Sequence, residues 1–205
     1  MDEQNNIPSE IPAHPKERIL AAALDLFVSR GYFNTNVPDI SKKSKCSVGS
    51  IYHHFLNKEE IGASLYFDGI KQFREAIAAD IGNETNLETI VRTVVTSFLN
   101  FAQDNETLSR YLWLCRHDEF LSGKVSHPTM VGFDSFGRKL TKSIKTAVRS
   151  GEVPSLKADI FWAIVFGMPV SYVRDWLDGF TSTSPKEAAE ILSNSAWNAL
   201  HGSLK

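Results

Sequence analysis

The sequence predicts an all-helical protein in two parts, a small N-terminal three-helix unit containing a helix-turn-helix and a larger C-terminal helical bundle. Three observations predict it. Apolar residues recur three and four apart through nearly every segment beyond residue 14, the repeat that puts them on one side of a helix. Asn or Ser stands before several of these segments, with Pro at their starts and Gly at their ends. One short window, Thr35 to Lys58, combines two closely spaced short helices with a run of cations.

The elements follow in order. Residues 1–13 are polar and acidic with no periodicity and read as a disordered tail. Pro15 suits the first position of a helix that Gly31 ends, with Ile19, Ala23, Leu26 and Phe27 on its buried face. Asn36 caps a short second helix, with Asp39 in the capping-box place and Val37 and Ile40 as its apolar side. Ser44, Lys45 and Cys46 form a tight turn. Ser47 then caps a third helix, Val48 to Phe55, which turns Ile51 and Phe55 inward and spreads Val48, Ser50, Tyr52, His53 and His54 over its other faces. A long fourth helix runs from Lys58 to Ile81 and stops at Gly82, carrying Ile61, Leu65, Ile70, Phe73 and Ile77 on one side. The domains are thus a tail at 1–13, the three-helix unit at 14–57 and the larger unit at 58–205.

Beyond Gly82 the pattern stays helical: Leu87 to Ala102, Thr107 to Arg116, a short piece at Asp118–Leu121, and Thr129 to Arg149. The last of these sets Phe133, Phe136, Leu140, Ile144, Ala147 and Val148 against a basic stripe of Arg138, Lys142, Lys145 and Arg149. That stripe reads as a solvated face, with a second nucleic-acid contact as the rarer alternative. Two helices close the chain, Leu156 to Leu177 and Pro185 to His201. The first is apolar nearly all round from Ile160 to Val170, so it has two sides to bury. The second opens on a Ser184–Glu187 capping box and lines up Ala188, Ile191, Leu192, Ser195 and Ala199. Small residues let helices approach closely, so this pair reads as a dimer interface, against the plainer reading of a monomeric core.

Composition narrows the class. The chain has 205 residues, 42% hydrophobic and 22% charged, ordinary for a soluble globular protein with ample core. Its two cysteines are too few and too separated for a disulfide scaffold, and Cys46 sits where the turn buries a small apolar residue. The N-terminus is not a secretory leader, and the longest apolar run, Ile160 to Val173, is broken by Gly167, Pro169 and Ser171, so a cytoplasmic protein without a membrane span is expected. From Ser41 to Lys58 there are four cations (Lys42, Lys43, Lys45, Lys58) and no acid. Taking those four from a net charge of −2 leaves the remaining chain at −6, so the basic patch is a directed surface on an acidic molecule. A basic helix-turn-helix of this kind points to duplex DNA.

From about Arg18 to Leu65 the sequence resembles the DNA-binding domain of TetR-family transcriptional regulators of the AcrR-like kind. ILAAALDLFVSRGYFNTNVPDI is similar to that family's first helix, Gly-aromatic turn and second helix, and SVGSIYHHFLNKEEI to its recognition helix and link into helix four. The resemblance implies that Tyr52 and Lys58 hold phosphates. It places Val48, Gly49, Ser50 and His53 at base edges or the adjoining backbone, and has Asn36 and Ser47 aim helix N-termini at phosphate oxygens. His54 either packs or reaches the backbone. Lys45, the remaining expected DNA-facing residue, stands at a turn position where the family usually has Gly, and a non-Gly residue in a left-handed conformation costs roughly 1–2 kcal/mol. Pro38, in a first turn whose N–H groups lack helical partners, is tolerated.

The resemblance further implies a homodimer through the last two helices, a palindromic operator on double-stranded DNA, a repressing mode, and a small-molecule effector that tilts helix four. Phe67, Phe98, Trp113, His117, Phe133, Trp162, Phe166 and Tyr172 are the candidate residues around that effector, apolar or aromatic in character; core packing or helix capping is the alternative for each. A DNA-binding dimer controlled by a protein partner, with no small molecule, is the competing reading. Enzyme chemistry is not expected: His117–Asp118 lacks the further ligands a metal phosphohydrolase needs, no His follows a Glu by three, and no phosphate loop or nucleophile elbow occurs. No cofactor and no metal are expected.

Overall fold

The computed structural model describes residues 14–115 and 135–202, with side chains from 137 in the second stretch, and every regular element among them is an α-helix apart from a terminal 3-10 residue. Counted among these residues, the helices are α1 (Pro15–Arg30), α2 (Val37–Ser44), α3 (Val48–His54), α4 (Lys58–Ile81), α5 (Leu87–Asp104), α6 (Glu106–Leu114), α7 (Ser135–Arg149), α8 (Ala158–Leu177) and α9 (Pro185–His201). The expected tail at 1–13, the short piece at 118–121, and Arg116, His117, Phe133 and Phe136 lie outside the described residues or side chains.

The chain divides into two compact units, up to Leu65 and from Tyr66. The division falls within α4, later than the 57/58 boundary expected, because Ile61 and Leu65 in its first two turns are buried. In the first unit α1 packs on α2 and α3, and α2 on α3. Ile19, Ala23, Phe27, Ile40, Ile51 and Phe55 are all nearly solvent-free. Each such aliphatic or aromatic side chain contributes about 1.5–3 kcal/mol by leaving water, so a few of them hold a unit this small. Gly31 ends α1 at φ +85°, a conformation L side chains rarely adopt. The Thr35 hydroxyl then donates to the carbonyls of Gly31 (3.0 Å) and Leu26 (3.3 Å), tying the turn back onto α1.

In the second unit α5 is the central helix, in contact with α6, α7, α8 and α9. Its Ile90, Val91, Val94, Val95, Phe98, Leu99 and Ala102 are sealed from solvent. The Asn86 side chain caps it at the Thr89 N–H, 2.9 Å. The last helix, α9, lies across α5 and α8. It begins with the predicted capping box: Ser184 N–H donates to the Glu187 carboxylate at 2.7 Å and Glu187 N–H to the Ser184 hydroxyl at 3.3 Å. Holding these bonds keeps the Glu187 carboxyl below the usual carboxylate range. α6 stops at Leu114, short of the expected Arg116, because Cys115 already has extended backbone.

The two closing helices each bury one side and present another. On α8, Phe161, Val165, Phe166, Val173 and Leu177 point inward, while Ile160, Ala163, Gly167, Met168 and Ser171 are exposed. On α9, Ala188, Ala189, Ser193, Ala196, Trp197 and Leu200 point inward, and Ile191 and Ala199 outward. Ala188 was expected on the outer row and instead packs inside. It is one position off that row, which runs Ile191, Ser195, Ala199 at intervals of four. No helix among the described residues is long and apolar enough to cross a membrane.

Candidate nucleic-acid interface and effector region

The reading unit is built from caps. Asn36 and Asp39 exchange bonds, Asp39 N–H to the Asn36 amide oxygen at 2.9 Å and Asn36 N–H to the Asp39 carboxylate at 3.1 Å. Lys45 follows α2 at φ +56°, ψ +30°, the one left-handed non-Gly residue among those described. The turn accepts that strain because it is bonded on both sides: the Ser41 hydroxyl donates to the Cys46 carbonyl at 2.6 Å, and Cys46 N–H to the Ser44 hydroxyl at 3.2 Å. Cys46 is buried as expected, with the Arg18 guanidinium 3.4 Å from its sulfur. Ser47 accepts the Ser50 N–H at 3.1 Å and so starts α3.

This framework turns one side of α3 outward. Ile51 and Phe55 are inside; Ser47, Val48, Gly49, Tyr52 and His53 are exposed, with Lys42, Lys43 and Lys45 on the preceding turn. Lys43 pairs with Asp25. A Cβ at Gly49 would meet only the Ser47 hydroxyl, at 3.9 Å, so nothing inside the unit requires a glycine there. Its absent side chain leaves room for an outside backbone to come close. His54 is half-buried, its ring 5.2 Å from His53, 6.2 Å from His14 and 6.5 Å from Phe55.

Lys58 differs from the rest of the set. Its ammonium donates to the carbonyls of Tyr32 and Thr35, both at 2.9 Å, and stands 4.2 Å over the Tyr32 ring. Two of its three donors are therefore committed inside the unit, tying the start of α4 to the α1–α2 turn. Burial draws its pKa below the ordinary lysine value, with Glu59 opposing. Tyr32 is pushed well above the usual phenol range by burial first, then by the Glu59 carboxylate and its hydrogen bond. Glu60 and Asn57 complete the junction: Glu60 N–H donates to the Asn57 amide oxygen at 2.8 Å and Leu56 N–H to the Glu60 carboxylate at 2.6 Å. The sequence reading missed this second role of Lys58; a lysine opening a helix's acidic first turn carries no signal for it.

A family model described as bacterial regulatory proteins, tetR family, matches residues 19–65. Over that stretch the chain is similar to the TetR family. Among curated relatives, the HTH-type transcriptional regulator SrpR of Pseudomonas putida is 24% identical over 139 residues, 68% of this chain and 63% of that regulator. The chain spans about half the length of the curated relatives it matches, 47% and 60% for two others. A TetR family transcription regulator from Marinobacter aquaeolei VT8 has a similar fold, with a TM-score of 0.72 at 19% identity over 91% of this chain and 95% of that one. FadR of Bacillus subtilis in complex with stearoyl-CoA gives 0.68 at 19% identity, over 90% and 98%.

In the second unit, four of the eight expected effector residues come together. The Trp113 ring lies 5.4 Å from Phe98, Phe98 lies 5.7 Å from Phe166, and Phe166 stacks on Trp162 at 5.5 Å. Phe73 joins them, 5.7 Å from Trp113 and 5.6 Å from Phe98. Phe67 does not: it is 48% exposed on α4. Tyr172 serves elsewhere, its hydroxyl donating to the Thr183 carbonyl at 2.8 Å and so tying α8 to the loop before α9. His117 and Phe133 lie outside the described residues. Among those described, no group of three His, Cys, Asp or Glu is placed to hold a metal ion.

Proposed function

We propose that this chain is a repressor that binds a palindromic operator as a homodimer and leaves it when a small apolar or aromatic effector enters the second unit. The observation that carries the DNA reading is the capped α3 with Val48, Gly49, Tyr52 and His53 outward beside Lys42 and Lys45, while Ile51 and Phe55 anchor its back. Tyr52 and Lys45 are the proposed phosphate contacts. Val48, Gly49, Ser50 and His53 meet base edges or the sugar-phosphate chain beside them. Lys58 acts chiefly by holding the geometry of α3 and offers its remaining donor to a phosphate.

The exposed row on α8 and α9 supports the dimer. Ile160, Ala163, Gly167, Ser171, Ile191, Ser195 and Ala199 make an apolar, small-residue surface that a second copy would cover. Such a dimer carries two recognition helices, which a two-fold site accepts at about 34–36 Å. The effector half rests on the ring cluster and on α4. At Gly69 an added Cβ would stand 2.9 Å from Leu108 and 3.1 Å from Leu112 of α6, so α4 and α6 touch with no slack. A ligand that moves α6 moves α4, and α4 is one helix from Tyr66 back to Lys58. That FadR of Bacillus subtilis, a protein of similar fold, forms a complex with stearoyl-CoA supports an apolar effector. Coupling of about 1–3 kcal/mol is expected.

Selection of randomised duplexes by the purified protein, followed by anisotropy on the winner across a salt series, tests the reading. A two-fold sequence whose affinity falls steeply with salt is expected. No enrichment, or a sequence without two-fold symmetry, overturns it.

A further inference from the structure

We propose that Ser109 and Trp113 of α6 together hold a hydrogen-bond-accepting oxygen of an uncharged aromatic effector, in the ring cluster of the second unit; this rests on the effector reading above. Ser109 is completely buried and its hydroxyl has no partner. A serine inside a helix ordinarily donates to the carbonyl four residues back, as Ser29 does to Asp25 (2.6 Å) and Ser195 to Ile191 (2.7 Å). Ser109 makes no such bond. Four residues on, the Trp113 indole N–H is also buried and unpartnered. Residues four apart share a helix face, with Cβ atoms about 5–6 Å apart. Two orphaned donors therefore stand side by side.

Leaving such a group unmade costs about 1–3 kcal/mol, so a pair on one face points to a molecule that completes it. The chemistry of that molecule is constrained. An indole N–H only donates, so its complement must accept. The Ser109 hydroxyl is free to donate to the same group. The surrounding rings, Phe73 and Phe98 fully buried and Phe166 nearly so, favour a flat apolar body. Two neutral donors do not offset the desolvation of a carboxylate or phosphate, which excludes an anion at this point. A ketone, ester or amide oxygen on an aromatic body fits. Trp113 and Trp162 are the half-buried members of the cluster and form the edge over which it enters.

Three probes of one shape test this on the full chain: 2-acetylnaphthalene, 2-ethylnaphthalene and 2-naphthoate, with dissociation constants from calorimetry. The ketone is expected to bind about tenfold more tightly than the hydrocarbon, the factor that about 1.4 kcal/mol of hydrogen bonding gives, and more tightly than the anion. Ser109→Ala with Trp113→Phe should bring ketone and hydrocarbon to equal affinity, whatever the change in their common apolar contact with the ring cluster. Comparing the probes within one protein keeps the test valid if the variant loses stability. Equal binding of ketone and hydrocarbon by the native chain, a preference for naphthoate, or a ketone advantage that survives in the variant overturns the acceptor site but leaves the effector reading. Failure of all three to bind overturns both, while duplex selection still reports the DNA reading separately.

Discussion

Both units of this chain have apolar cores, but their working regions are shaped by different means. In the first, contacts that shape the reading surface are short in sequence and polar: Asn36 with Asp39, Ser41 with Cys46, Ser47 with Ser50, Asn57 with Glu60. In the second, contacts between distant apolar helices dominate, and the long-range polar ones sit at the edges, such as Lys186 N–H to the Gln103 amide oxygen at 3.0 Å and the His201 ring with the Glu152 carbonyl at 3.0 Å. A surface that must meet a duplex of constant shape is specified by bonds that leave little freedom. A bundle that receives a variable ligand is specified by volume and shape, which many residue sets supply.

That contrast is open to direct attack. Phe98→Ala should cost about 3–5 kcal/mol by opening a cavity in the ring cluster. Hydrogen exchange resolved by segment should then show lost protection in α5 and α9 with α1 unaffected; equal loss everywhere would mean the units unfold as one. Gly167→Glu with Ser195→Glu places charge on the outer row of α8 and α9, where no Cβ at Gly167 meets anything within 4 Å. Sedimentation should find a monomer that still folds, and operator affinity should fall on the order of a hundredfold as the second recognition helix is lost. A dimer that persists would move the interface elsewhere.

Smaller effects sharpen the account of the reading unit. Lys58→Met removes two charge-assisted bonds to the Tyr32 and Thr35 carbonyls. Denaturation should show a loss of about 2 kcal/mol, and the salt slope of operator binding should change by no more than one ion. A slope reduced with stability intact would restore Lys58 to a pure phosphate role. Gly49→Ala should leave stability level or raise it by up to about 1 kcal/mol, since helical Ala outranks Gly, while operator affinity falls. Unchanged affinity would remove Gly49 from the interface. Lys45→Gly should stabilise by less than about 1 kcal/mol, the relief of left-handed strain being partly offset by a freer unfolded chain. Thermal unfolding decides its sign.

Much of the first unit was legible in advance because its rules are local. Asn36, Asp39 and Ser47 announce caps that their own N–H neighbours complete, while the left-handed residue at Lys45 was suggested only by the family resemblance, which has Gly there. Ile51 and Phe55, four apart, could face only inward once Tyr52 and His53 faced out. Lys58 was half legible: its charge was plain, but its partners, Tyr32 and Thr35, lie 26 and 23 residues back, beyond any local pattern.

In the second unit the sequence by itself determined helices and their apolar sides, since periodicity needs only nearest turns. It also marked Phe98, Trp113, Trp162 and Phe166 as candidates. Only the tertiary structure decided that these four meet while Phe67 stays outside, that Ala188 turns inward beside Ile191 turning out, and that Ser109 is sealed beside the Trp113 indole without a partner. The reason is physical. A helix sequence fixes angles about its own axis, but which neighbour fills each angle depends on how long helices pack, and a difference of one position, or about 100° around the helix, exchanges core for surface.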